Sequence, residues 1–237
     1  MESIYVTDVL LVMAMRGEAA PVADALSLTR SDRTTPAPID CYTSDDERIV
    51  LAVNGLDPLH GVDAIGTTAA SRTSEWAATT FSPRWMISAG TAGGFIERGG
   101  AIGTVVVASG PVIFHDRRVP IPGFDRYARG EFPSADLDDV ARALGFVPGP
   151  CSTGDSLDAP TLDLQAMAAH GTYAKDMEAA AVAWTALRYG SRFTAVKVIT
   201  DLVDGPEATA DEFTANFAAA VSSLADAISP FLDALGD

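Results

Sequence analysis

Apolar positions along the chain fall into two spacings. Near-continuous apolar runs at 9–15, 48–53 and 85–89 have the length of strands covered on both faces. Residues 103–108 form the most β-branched stretch, and 193–200 return to the same pattern. Between these runs the sequence predicts helices over 18–28, 60–81 and 178–188. Asn54-Gly55 ends the second strand, and the third is expected to stop at Gly90. The last element has the clearest period. Phe213, Phe217, Val221, Leu224, Ile228, Phe231 and Leu235 recur at steps of three or four, one apolar stripe on a long C-terminal helix. Thr209 and Glu212 have the spacing of a capping box at its start, and Pro230 is expected to kink or break it late. This helix reads as packing rather than chemistry. Strands alternating with helices predict an α/β fold with a mostly parallel central sheet flanked by helices. At 237 residues, with no repeat and no linker-like shift in composition, the expectation is one domain over 1–237.

Composition works by exclusion. The chain is 48% hydrophobic and 20% charged, an ordinary globular balance. Asp plus Glu number 32 against 16 Lys plus Arg, a net charge of −16. A surface that negative repels phosphate backbones and anionic lipid, so no nucleic-acid or membrane partner is expected. Cys41 and Cys151 are the only cysteines, too few for a disulfide framework or a four-cysteine zinc site, and read as two unrelated buried thiols. No basic leader and no apolar run of membrane-spanning length is seen, which points to a cytoplasmic protein.

In open α/β sheets ligands gather at the carboxyl ends of strands, so the polar residues just after the apolar runs are the candidates. Glu18 follows the first run, Gly90-Thr91-Ala92-Gly93-Gly94 the third, and Asp201 with Asp204 the last. Between them lie the segments 152–158 and Lys175-Asp176-Met177-Glu178. Several carboxylates converging there suit acid–base work or stabilisation of a cationic transition state. Each has a plainer reading by itself. Glu18 is then a first-turn helix carboxylate, the glycine segment a tight strand-to-helix turn capped by Thr91, and 115–118 a solvated charged loop.

In order and spacing, six segments resemble the nucleoside phosphorylase and nucleosidase superfamily, most of all its 5′-methylthioadenosine/S-adenosylhomocysteine nucleosidases. They are residues 13–18, 88–95, 114–122, 152–158, 175–178 and 197–205. The versions His-Asp-Arg-Arg-x-Pro-Ile-Pro, Ser-Thr-Gly-Asp-Ser-Leu-Asp and Thr-Asp-Leu-Val-Asp-Gly look like the plant-type branch. The resemblance implies a nucleoside phosphorylase-like fold and hydrolysis of the bond between adenine N9 and the ribose. Asp201 matches the general acid toward adenine N7, with apolar surroundings and Asp204 expected to keep it protonated. Glu18 matches the carboxylate that activates water, and Met177 with Glu178 the pair on the ribose. Met15 and Thr91 would lie near the sugar, Leu157 under the purine, and Lys175 and Asp176 beside them. Lys197 stands where many relatives carry Arg. Ala210 stands where many bacterial relatives close the 5′ end with Phe. The loop holding Val119, Pro122 and Phe124 would enter a neighbouring subunit's pocket, implying a homodimer. The implied partner is a small purine nucleoside, and no cofactor or metal is implied.

Three rivals stay open at this point. Phosphorolysis needs a residue that holds a dianion; Ser88-Ala89-Gly90 lacks the Arg of phosphorolytic relatives, while Arg16 leaves the question standing. A silent nucleoside-binding protein has no need of both Glu18 and Asp201. A nucleosidase for adenosine or a futalosine-like nucleoside would share every base and ribose contact.

Overall fold

A computed structural model describes residues 6–236. The one-domain expectation for 1–237 and the reading of the N-terminus as leaderless thus reach residues outside those described. The chain begins β1 (Thr7–Met13), α1 (Arg16–Ala25), β2 (Thr29–Arg30), β3 (Asp40–Thr43), β4 (Ile49–Val53), α2 (Thr67–Phe81) and β5 (Pro83–Gly94). A single 3₁₀ turn (Ile96–Arg98) leads to β6 (Val105–Ala108), β7 (Ile113–Phe114), α3 (Asp125–Arg129), α4 (Asp138–Ala143), β8 (Val147–Gly149) and β9 (Cys151–Thr153). Then come α5 (Thr161–His170), β10 (Ala174–Asp176), α6 (Ala179–Tyr189), β11 (Arg192–Leu202) and α7 (Thr209–Ala234).

Among the described residues all the strands join one sheet, and six of its ten pairings are parallel. β1, β5 and β11 lie side by side at its centre, all parallel. Their residues alternate between two apolar layers, as a sheet covered on both faces requires. Leu10 and Val12 of β1 face α2 and α6, whereas Leu11 and Met13 face α1 and α7. The stripe on α7 fills the second layer with Val221, Leu224, Ile228 and Phe231, all buried.

Four expectations are corrected. The helix drawn over 60–81 starts only at Thr67, because Gly61 and Gly66 take φ of 69° and 90°, which no right-handed helix accommodates. β5 does not stop at Gly90 but runs on to Gly94, since β10 and β11 continue to pair with it. The glycine segment is therefore strand, not turn. At α7 the cap is Ala208 rather than Thr209, Glu212 bonds elsewhere, and the helix continues past Pro230 to Ala234. That helix is also long and apolar enough to cross a membrane, contrary to the reading that no such run exists, although its apolar stripe is spent on the core.

Candidate active site

The carboxyl ends of β1, β5, β10 and β11 open on one cavity. Met15, Glu18, Thr91, Leu157, Lys175, Asp176, Met177, Glu178 and Asp201 all line it. Two glycines of β5 make it possible. A Cβ on Gly90 would stand 3.2 Å from Glu18 Oε1, and one on Gly93 would stand 2.8 Å from Asp201 Oδ2. Each carboxylate thus rests on bare backbone of the same strand. Three residues of strand rise about 10 Å, which sets the scale of the separation along β5.

Glu18 is 2% exposed and held from two sides. Thr91 donates to Oε1 through its N–H (2.8 Å) and its hydroxyl (2.7 Å), and the Met15 N–H donates to Oε2 (3.3 Å). Those three donors place two hydrogen bonds on Oε1 and one on Oε2, which leaves Oε2 with spare acceptor capacity.

Asp201 is aimed by a bulge. The β11–β5 register slips at Thr200, where Ile199 pairs with Ala92 but Asp201 pairs with Gly93, and such a slip re-aims the side chain that follows. The Thr200 hydroxyl donates to Asp201 Oδ1 at 2.7 Å. Burial pushes the Asp201 carboxyl above its ordinary range, Thr200 and Lys175 oppose that, and the Glu212 charge adds to it. The helping carboxylate is Glu212, not the expected Asp204. Asp204 instead accepts the Ile96 (2.7 Å) and Glu97 (3.1 Å) N–H groups at the start of the 3₁₀ turn. Glu212 Oε2 accepts the Leu202 N–H (2.7 Å), and Asn216 Nδ2 donates to the Thr200 carbonyl (3.0 Å). The start of α7 therefore fixes the strand that carries Asp201, a role beyond packing.

Glu178 is the residue before α6. Its Oε1 accepts the Gly66 N–H at 2.8 Å. Its carboxyl is pushed up to about 7, first by burial and then by Asp176 and Glu18, against the pull of Lys197 and Gly66. Asp176 is fully engaged: Oδ1 accepts the Thr153 hydroxyl (2.5 Å), and Oδ2 accepts the Ala179 N–H (2.8 Å) and Lys197 Nζ (2.7 Å). Lys197 itself does not line the cavity, so the expected substrate contact is corrected to a buried ion pair. Lys175 Nζ donates to the carbonyls of Ser156 (2.7 Å) and Leu157 (2.9 Å) and so pins the loop that carries Leu157.

Ile65 and Phe213 also line the cavity and were missed. Phe213, one turn into α7, takes the place expected for Ala210, which does not line the cavity. In sequence nothing distinguishes an apolar residue facing a cavity from one facing a core. Val119, Pro122 and Phe124 lie outside this cavity, and Ile121 and Phe124 are exposed, at 55% and 46%. His115 is buried, not solvated: its Nδ1 lies 3.1 Å from Ser152 Oγ. The backbone N–H of Asp155 donates to Asp116 (2.7 Å), and Asp155 in turn accepts the Thr67 N–H and hydroxyl (both 2.6 Å) at the start of α2. Arg16 pairs with Asp63 at 2.8 Å and Ser88 accepts from Lys197. Cys41 and Cys151 are both buried free thiols, as expected.

This sheet and this trio of carboxylates define a protein of the phosphorylase superfamily, whose model matches residues 8–233. The chain belongs to that superfamily, and within it to the 5′-methylthioadenosine/S-adenosylhomocysteine nucleosidases, enzymes that hydrolyse N-glycosyl bonds. It is 37% identical over 92% of its length to the 5′-methylthioadenosine nucleosidase of Arabidopsis thaliana, covering 84% of that protein. It is 34% identical over 96% of its length to a 5′-methylthioadenosine/S-adenosylhomocysteine nucleosidase of the same plant, covering 91% of it. A solved structure of the Arabidopsis thaliana 5′-methylthioadenosine nucleosidase superposes with a TM-score of 0.92 at 34% identity, covering 97% of this chain and 96% of that one.

Proposed function

We propose that the protein hydrolyses the adenine–ribose bond of 5′-methylthioadenosine, with S-adenosylhomocysteine as a second substrate. The observation that carries the reading is the pairing of Glu18 and Asp201 on one cavity, each against a glycine of β5. Adenine leaves poorly as an anion. Asp201, whose burial favours the protonated form, passes its proton to N7 as the N9–C1′ bond breaks. The ribosyl fragment gains positive charge, and Glu178 meets it from the hydroxyl side. Water held by Glu18 adds its oxygen to C1′ and gives its proton to Glu18. The products are adenine and 5-methylthioribose.

Phosphorolysis fits less well. Neither Arg16 nor Ser88 lines the cavity, Arg16 is drawn to Asp63 and Ser88 is engaged by Lys197, so neither is placed to hold a dianion beside the sugar. The deciding experiment is a panel of 5′-methylthioadenosine, S-adenosylhomocysteine, adenosine and inosine, with free base quantified with and without phosphate. Adenine release from the first, independent of phosphate, is expected. Strict phosphate dependence, or release only from adenosine or inosine, overturns the assignment.

The reading extends to a homodimer in which Val119, Pro122 and Phe124 enter the partner's cavity. The exposed apolar pair Ile121 and Phe124 supports it. It also extends to a role in methionine salvage and to a reducing, cytoplasmic setting, in keeping with two free thiols.

A further inference from the structure

Lys197 is 1% exposed, an ammonium sealed beneath the floor of the site. It lies on β11 opposite Gly90, four residues before Asp201. Its Nζ donates to Asp176 Oδ2 at 2.7 Å and to Ser88 Oγ at 3.1 Å. The same Asp176 oxygen accepts the Ala179 N–H, which fixes the first turn of α6 and with it the preceding residue, Glu178. The charges in this pocket are unbalanced. Glu178 feels the negative charges of Asp176 from β10 and Glu18 from α1, and Lys197 is the cation that opposes them there. Lys175 shares Asp176 but otherwise acts with Asp158, Asp163 and Asp201.

We propose that Lys197 is a positioning residue for Glu178: it never touches substrate, and through Asp176 it holds Glu178 in place and supplies the positive charge that opposes its protonation. A buried carboxyl with two anionic neighbours takes up a proton unless a cation opposes it. Protonated, Glu178 loses both its attraction for a cationic sugar and part of its capacity to accept hydroxyl hydrogens. Ser88 adds an acceptor for the Lys197 ammonium and Thr153 a donor for the Asp176 carboxylate, the kind of further hydrogen bonding under which a buried ion pair is tolerated.

The proposal rests on the assignment of Glu178 to the sugar, so both are tested together. Adenine release from 5′-methylthioadenosine is followed against pH for the parent, Lys197→Met, Lys197→Arg and Glu178→Gln, with the melting temperature of each. Lys197→Met is expected to move the acid limb of kcat/KM upward by about one pH unit or more, and so to cost about tenfold or more at neutral pH while recovering in alkali. Lys197→Arg, which keeps the charge, is expected to return the limb toward its parental position. In Glu178→Gln, where the limb belongs to the base Glu18, adding Lys197→Met is expected to shift it much less than it shifts the parental limb. If Lys197→Met does not fold, Lys197→Gln, which keeps a donor for Asp176 without the charge, is read in the same way. A limb that stays put in the uncharged variant while Glu178→Gln moves it overturns the role of Lys197 and leaves Glu178 on the sugar. A Glu178→Gln variant with the parental limb and parental KM overturns the assignment of Glu178, and the proposal falls with it.

Discussion

A single missing side chain decides where the acid can sit. Any residue with a Cβ at position 93 meets Asp201 Oδ2 and Val203 Cγ2, both at 2.8 Å, closer than carbon and oxygen settle in folded proteins. Gly93→Ala is therefore expected to push Asp201 off its aim and lower kcat by about 10²-fold, the cost of roughly 1 Å of misplacement. Asp201→Asn removes the proton itself and is expected to cost about 10²–10⁴-fold in kcat with the fold intact. Stopped assays of adenine release, with melting curves alongside, check both; an Asn variant of parental activity refutes the acid. The residues behind these expectations were readable before any coordinates through the order and spacing of their six segments, since a single carboxylate after an apolar strand reads equally well as a cap. Their partners were not. Nothing in sequence ties Glu212 to Leu202, or Lys197 to an aspartate 21 positions earlier, since those bonds exist only once α7 and β10 have docked. Phe213 and Ile65 were hidden for the opposite reason, being apolar like the core around them.

Among the elements, β5 and α7 carry the surprises. A run of Gly-Thr-Ala-Gly-Gly reads as a turn by local propensity, yet pairing to β10 and β11 keeps it extended. What the glycines supply is room for two carboxylates rather than a change of direction. The α7 stripe was legible throughout, and its periodicity did predict the buried face. Its first turn has a second task that periodicity conceals. Glu212 anchors the Leu202 N–H and its negative charge raises the Asp201 carboxyl. Removing that charge lets Asp201 ionise at lower pH, so its proton is lost earlier as pH rises. Glu212→Gln is accordingly expected to shift the alkaline limb of the pH–rate profile downward. A limb that moves up, or a variant with parental behaviour, contradicts the link between α7 and the acid.

At the scale of the molecule, alternation of strand and helix revealed the fold class, while the antiparallel pairings of β2, β3, β6 and β10 lay beyond any local pattern. The net charge of −16 argues for a small ligand rather than a nucleic acid, and the cavity gives that argument a place. The exposed loop with Ile121 and Phe124 belongs to this scale too. Phe124→Asp places a charge on the face proposed to bury it, so light scattering is expected to show a dimer for the parent and a protomer for the variant, together with weakened substrate binding. An unchanged mass and KM would place the interface elsewhere.

Beneath all of these lies one proposed chemical event: water, activated at Glu18, attacks the anomeric carbon while Asp201 protonates the purine. The direct test is turnover of 5′-methylthioadenosine in ¹⁸O-water containing phosphate, with both products weighed by mass spectrometry. The account predicts unlabelled adenine and a methylthioribose carrying one heavy oxygen at C1, formed by the parent and lost in Glu18→Gln. An unlabelled sugar phosphate in its place would contradict it.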